Sequence, residues 1–386
     1  MNPVATRKPA IAAPTVPYSA LAAQAAEVKA ALLDAFETVL DSGRYILGPN
    51  LSAFEAEFSA YCGAAIGIGV GNGTDALTLA LRALNIGPGD EVITAPNSFI
   101  ATAASIAHVG ARPVFADIGA DLNIDPEMVE AAITPATRAI VPVHLTGRPA
   151  RMPRLLDIAA HRGLIVIEDA AQAVGAALNG KRVGSWAAAA CFSLHPLKNL
   201  HAFGDGGMVT AADPETADLL RMFRNHGLRN RDCVEFWGFN SRLDELQAAL
   251  LRVQLPLLDR WTDERRRLAF RYNDLLRPWA DVPEEGPGEF CTYQTYAIQA
   301  RQRDALQKFL KDNGVEALVH YPTPIHRQPA AAALGYGPEH FPMAERAAAS
   351  VLSLPLYPGL TEAQQDRVVD LVSDFYRRTG LGGRTE

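Results

Sequence analysis

Residues 192–199 read Phe-Ser-Leu-His-Pro-Leu-Lys-Asn, and Gly-Asp-Gly-Gly follows at 204–207. Lys198 stands in a mostly apolar, glycine-flanked stretch with no carboxylate beside it. A lysine taken out of water gives up its proton more readily and becomes a nucleophile towards aldehydes. Without context a solvated surface lysine is the better reading. Two earlier segments supply the context. Residues 168–172, Glu-Asp-Ala-Ala-Gln, follow directly on the apolar run 164–167. A carboxylate at the carboxyl end of a buried strand faces a ligand crevice and stays ionised there only beside a cation. A protonated pyridine nitrogen meets that need; an aspartate capping the next turn is the alternative. Residues 71–77, Gly-Asn-Gly-Thr-Asp-Ala-Leu, lie between a strand-like run and a helical pattern. Glycines let backbone approach an anion, and the start of a helix aims free N–H groups at it. Thr74 suits both a helix cap and a phosphate ligand. Alone, this loop fits a loose dinucleotide fingerprint or a simple capped turn equally well.

These residues need elements to hold them. Apolar, strand-like runs at 65–70, 91–95, 112–116, 138–143 and 164–168 alternate with helical patterns such as 74–84 and 151–161. An amphipathic pattern at 21–40, closed by Gly43, precedes them. That alternation predicts parallel crossovers and a mostly parallel sheet covered on both faces by helices, an α/β fold. Ligands in such sheets bind beyond the carboxyl ends of the strands, where all three segments fall. After residue 241 the pattern becomes one long helix, 243–276, then a Pro/Gly-rich stretch at 283–288 and a strand-like run at 293–299. Helical segments 304–313 and 361–377 flank a Pro-rich loop at 321–329. The expected division is a flexible N-terminal arm (1–17), a large domain (18–250) and a connecting helix with a smaller α+β domain (251–386).

A phosphate cradle, a pyridinium partner and a Schiff-base lysine, in that order, are what pyridoxal phosphate requires of a protein. With these motifs the sequence resembles the DegT/DnrJ/EryC1/StrS family, pyridoxal-phosphate-dependent sugar aminotransferases of the aspartate-aminotransferase fold (fold type I). The resemblance covers roughly residues 18–378. It also rests on Gly-Pro-Gly-Asp-Glu-Val-Ile (87–93) and Gly-Phe-Asn-Ser-Arg-Leu-Asp-Glu-Leu-Gln-Ala-Ala (238–249). It implies that Lys198 forms the Schiff base and shuttles protons, and that Asp169 pairs with the pyridine nitrogen. Gln172 then lies near the phenolic oxygen and Phe99 stacks on the ring. Gly73, Thr74, Asp75 and Ser193 surround the phosphate, and Asn240 reaches the phosphate of a neighbouring subunit in a homodimer with shared sites. His195 is a candidate for cofactor or substrate contact or for packing. His320, Tyr321 and His326 resemble segments near the substrate mouth. Arg242 suits either a donor carboxylate or Asp244. His201 and Trp186 replace smaller residues and are expected to reshape the sugar pocket.

The implied reaction moves an amino group from glutamate or glutamine to a keto group of a nucleotide-linked deoxy sugar. Gly-Asp-Gly-Gly resembles members acting at C3. A sugar dehydratase is disfavoured because those members carry His in place of Lys198. A non-catalytic regulator on the same fold has no use for Lys198, Asp169 and Gln172 together, and a nicotinamide dehydrogenase has none for Lys198.

Composition narrows the field further. The 386 residues are 48% hydrophobic and 20% charged, ample for a buried core. A net charge of -7 argues against nucleic acid as partner. The basic cluster 265–267 reads as a solvated helix face. No apolar run is long enough to span a bilayer. Arg7 and Lys8 before a small-residue stretch superficially suggest a signal peptide. Pro9, Pro14 and Pro17 interrupt it, favouring an arm. Cys62, Cys191, Cys233 and Cys291 show neither disulfide nor zinc spacing, and metal is not expected; a reducing cytoplasm fits.

Overall fold

The alternating runs fold into a seven-stranded sheet in this computed structural model, which describes residues 16–380. Its strands are β1 (Ile66–Val70), β2 (Glu91–Thr94), β3 (Arg112–Phe115), β4 (Thr137–Val141), β5 (Ile165–Asp169), β8 (Ala189–Ser193) and β9 (Gly207–Ala211). Their order is β1-β9-β8-β5-β4-β2-β3. The five runs read from sequence are all present. They pair in parallel from β3 through β2, β4 and β5 to β8. The sequence reading did not place β8 or β9. β9 runs antiparallel between β8 and β1. The hairpin-like return from β8 to β9 carries Lys198. It is pinned at its neck by Leu194 N–H to Gly206 O at 2.8 Å and Ala202 N–H to Leu194 O at 2.7 Å.

Helices cover both faces. They include α1 (Leu21–Ser42), α2 (Pro49–Cys62), α3 (Gly73–Ala83) and α4 (Ile100–His108). On one face Leu77 and Leu81 of α3 pack over Ile68, Val92, Ile167 and Val209. On the other Phe54 and Phe58 of α2 meet Phe192 of β8, with Phe58 and Phe192 edge to face at 5.0 Å. Each such phenyl ring, fully buried, contributes about 1.5–3 kcal/mol. The short strands β6 (Ala177–Leu178) and β7 (Lys181–Arg182) form a small sheet with β12 (Glu289–Phe290). β10 (Leu228–Asn230) and β11 (Cys233–Val234) form a separate hairpin.

The helix expected over 243–276 is interrupted. Helix Glu245–Gln254 passes through a 3-10 turn, Leu255–Leu257, into helix Leu258–Leu276. Pro256 explains the break, since it lacks an N–H and its ring crowds the preceding turn. Leu251, Leu255 and Leu258 belong to the core beneath the main sheet, whereas Leu268, Tyr272 and Leu276 belong to a second core. The changeover between cores falls inside the second helix. The second core is built on β13 (Tyr296–Gln299) paired antiparallel with β14 (Val351–Leu354). Helices Arg303–Asp312 and Glu362–Thr379 flank this pair, the latter opened by a capping box of Thr361 and Gln364. The run expected as strand at 293–299 becomes strand only from Tyr296; Tyr293 has φ 45°, outside any sheet geometry.

Two sequence expectations change here. Residues 1–15 of the expected arm lie outside the described residues, but Val16 is fully buried in the second core. Its N–H bonds Gly314 O, and its carbonyl accepts from Glu316 N–H, each at 3.0 Å. The basic cluster is not a solvated face either. Arg265 is buried and donates to Leu356 O at 2.8 Å, while Arg266 pairs with Glu285; only Arg267 is exposed. Burial lowers the Arg265 pKa to about 10, so the guanidinium remains charged. Cys62, Cys191 and Cys291 are buried, while Cys233 is exposed on the β10–β11 hairpin. No helix among the described residues is long and apolar enough to cross a membrane.

Candidate active site

The carboxyl ends of β1, β5 and β8 and the loop before α4 converge on a cavity of ≈ 430 Å³. Its anion end is built at the start of α3. Asn72 caps the helix by accepting from Asp75 N–H at 2.8 Å, and Gly73 and Thr74 face the cavity beside Ser193, the last residue of β8. A Cβ on Gly73 would stand 2.8 Å from Ser193 Cβ, so this approach of helix to strand admits only glycine. Asp75 is set differently from the expectation. Its carboxylate turns aside to accept from Ser241 Oγ at 2.5 Å and does not line the cavity.

Asp169 ends β5 and is buried, and both carboxylate oxygens accept hydrogen bonds. Oδ2 takes the Thr102 hydroxyl at 2.7 Å, and Oδ1 takes Ala171 N–H at 3.2 Å. Burial pushes its pKa up, opposed by those two bonds and by the nearby Lys198 charge. Lys198 enters the same cavity from the β8–β9 return. Burial lowers its pKa to about 8, and the charge of Asp169 only partly offsets this. An amine that sheds its proton near neutrality suits both nucleophilic attack and proton transfer.

The remaining walls come from both cores. Gln172 Oε1 accepts from Thr146 N–H at 2.8 Å, and Gln172 Nε2 donates to Tyr321 Oη at 3.3 Å. Phe99 presents a half-exposed ring 5.7 Å from the Tyr321 ring. His320 contacts Ser353 Oγ at 2.9 Å; burial, then the Lys198 charge, holds its pKa at about 4, so the imidazole is neutral. His195 lines the cavity, with Nδ1 accepting from Leu197 N–H at 3.2 Å.

Several candidates lie elsewhere. His326 is buried away from the cavity, bonded to Glu345 at 2.9 Å with its ring 4.8 Å from Phe341; it joins an aromatic packing cluster. Trp186 donates to Lys181 O and does not line the cavity. His201 is buried behind the Lys198 loop and likewise does not line the cavity. Arg242 donates to Asn225 Oδ1 at 3.0 Å, rather than pairing with Asp244. Asn240 is exposed and does not line this chain's own cavity. Sequence reasoning missed Thr102 and Tyr18, both cavity-lining. The three-residue step from Phe99 to Thr102 along α4 was the available signal for Thr102. Tyr18 was hidden beside the expected arm. A larger cavity of ≈ 810 Å³ lies between the two cores, but its Arg148 and Arg151 are paired with Glu289 and Asp121.

The residues fit pyridoxal 5′-phosphate. The glycine-tight cradle at α3 offers N–H groups to a phosphate, Asp169 offers an anion to a ring cation, and Lys198 offers an amine to an aldehyde. Fold and site together define an aminotransferase that works with this cofactor. More narrowly, the chain belongs to the DegT/DnrJ/EryC1/StrS aminotransferase family, whose model matches residues 26–373. It is 48% identical over 367 residues to a pleiotropic regulatory protein of Geobacillus stearothermophilus, covering 94% of this chain and 99% of that one. It is 45% identical over 368 residues to dTDP-3-amino-3,4,6-trideoxy-alpha-D-glucose transaminase of Streptomyces venezuelae, covering 95% and 97%. The crystal structure of S. venezuelae DesV in complex with ketimine intermediate matches with a TM-score of 0.92 at 45% identity, covering 94% of this chain and 98% of that one.

Proposed function

We propose that this chain transfers an amino group from glutamate or glutamine to the C3 keto group of a nucleotide-linked deoxy sugar. The observation that carries the reading is the shared cavity of Lys198 and Asp169 with the anion cradle at α3. When bound, pyridoxal phosphate supplies an aldehyde that takes up an amino group and a ring that stores an electron pair. Gly73, Thr74 and Ser193 hold the phosphate. Asp169 holds the ring cation, and its buried position strengthens that pairing. Lys198 Nζ carries a proton to and from the reacting carbon, its pKa of about 8 leaving it able to act both as base and as acid. Phe99 and Tyr321 line the crevice, Phe99 as the residue that would stack on the ring, and His320 offers a neutral imidazole beside them.

C3 is favoured by Gly-Asp-Gly-Gly at 204–207, whose Asp205 lines the cavity, and by the 3-amino product in the Streptomyces relative's name. Keto sugar nucleotides presented to the pyridoxamine-loaded enzyme, with the cofactor spectrum followed, test this. Conversion of 3-keto substrates with 4-keto substrates ignored is expected; the opposite selectivity overturns the C3 assignment. The Geobacillus relative's name favours a second reading, a regulator that binds without turnover. Lys198, Asp169 and Gln172 meeting in one cavity speak for chemistry instead.

The active sites are shared across a symmetric dimer in this reading. Asn240 is exposed beside the β10–β11 hairpin and next to Trp237, which is 94% exposed, an arrangement suited to reaching a second copy. Subunits carrying Lys198→Ala, mixed with subunits carrying a bulky residue at 240, should regain activity, up to about half of wild type per mixed dimer. One site then bears both defects and the other neither. Verified mixed dimers as inactive as their parents would show that each site is built from one chain.

A further inference from the structure

Thr102 lies in the first turn of α4, three residues after Phe99, and is 2% exposed. Its hydroxyl carries one proton and has two acceptors in reach, Asp169 Oδ2 at 2.7 Å and Phe99 O at 3.2 Å. The shorter, charge-assisted bond takes the proton. Ser98, itself buried, has Thr102 Oγ1 at 3.0 Å as the nearer acceptor of its hydroxyl proton and Phe99 O at 3.2 Å as the farther. With the threonine proton committed to Asp169, the free lone pair of Thr102 accepts the serine proton. The chain of donors therefore runs in one direction, from Ser98 through Thr102 to the carboxylate.

We infer that Thr102 is a positioning residue for the transamination, acting through Asp169: its donated hydrogen bond fixes the carboxylate's rotation and keeps it ionised towards the crevice. The need for such a donor follows from the site. Asp169 is 4% exposed, and its other oxygen has only one longer bond, from Ala171 N–H at 3.2 Å. Burial alone favours the neutral acid, and a neutral acid does not hold a ring cation. The same turn of α4 sets the Phe99 ring, so one short segment orients both the ring's stacking partner and its ionic partner. This inference rests on the aminotransferase reading of the site.

The holoenzyme with Thr102→Val, which keeps the shape and removes the hydroxyl, is the test. Loss of one buried charge-assisted bond predicts a fall in kcat of about 10- to 100-fold with KM for the sugar nearly unchanged. Weaker anionic support of the ring also displaces the pH midpoint of the bound cofactor's visible band from its wild-type value. Thr102→Ser restores the hydroxyl and should return both kcat and midpoint to near wild type. Thr102→Ala carries the same expectation as valine if valine is not accommodated. The inference is overturned if the serine and valine variants behave alike, or if kcat falls while the midpoint stays in place. A wild-type holoenzyme without transaminase activity would instead defeat the functional reading, leaving the midpoint comparison interpretable by itself.

Discussion

Lys198→Met should lose turnover by a factor of about 10⁴ or more, because one side chain serves as both amine nucleophile and proton carrier. The visible band of the bound cofactor should shift as well, since the residue that links to its aldehyde is gone. A variant with near-normal transamination would remove Lys198 from the chemistry. The same substitution has an effect on stability, of a stated sign. The folded-state pKa of about 8 lies below the ordinary lysine value of 10.5. Below pH 8 the lysine is charged in both folded and unfolded chains, and the folded state bears the whole desolvation cost. Between pH 8 and 10.5 the unfolded chain holds more protons, so stability rises with pH there. Cofactor-free Lys198→Met should accordingly be more stable than wild type at pH 7 by about 2 kcal/mol, a value reduced for the partly wet ammonium. The gap should narrow as pH rises through that window, in denaturant titrations at several pH values. A gap independent of pH would mean that Lys198 is not desolvated.

Asp169→Asn is the second large effect. The amide retains size and one accepting oxygen but carries no charge, so the ring cation loses its partner. Cofactor should still bind through the cradle at α3, while kcat falls about 10²- to 10³-fold. Both half-reactions should slow together, because ring protonation serves each of them. Stopped-flow measurement of each half-reaction decides the matter; a defect confined to one would place Asp169 on a substrate rather than on the ring.

The parallel part of the sheet and the chemistry at its carboxyl edge are legible in sequence for a physical reason. Buried parallel strands need continuous apolar runs, and a catalytic side chain directly after such a run has few structural excuses. Asp169, at the carboxyl end of β5, is the case in point. What the sequence hid depends on contacts distant along the chain. β9 has no alternation to mark it, because it lies between β8 and β1 and is buried throughout. Asp75 matches a cradle motif, yet its carboxylate is drawn away by Ser241, 166 residues later. His326 looked like a mouth residue in a Pro-rich loop; Glu345 and Phe341 instead hold it in packing. Val16 was indistinguishable from the preceding arm until Val315 supplied its pairing partner. Arg265 sat among charges in sequence while facing carbonyls in space.

Thiol chemistry finds a single address on this chain. Cys62, Cys191 and Cys291 are buried, and burial pushes each thiol's pKa up, so none offers an accessible thiolate. Cys233 alone is exposed, at the tip region of the hairpin adjoining Trp237 and Asn240. In the single chain a maleimide fluorophore or nitroxide therefore reaches one position without any engineered cysteine, and pairing of two copies through the neighbouring Asn240 surface should slow that labelling. Two labelled copies form a molecular ruler whose reading is the distance between hairpins, recorded in solution and during turnover.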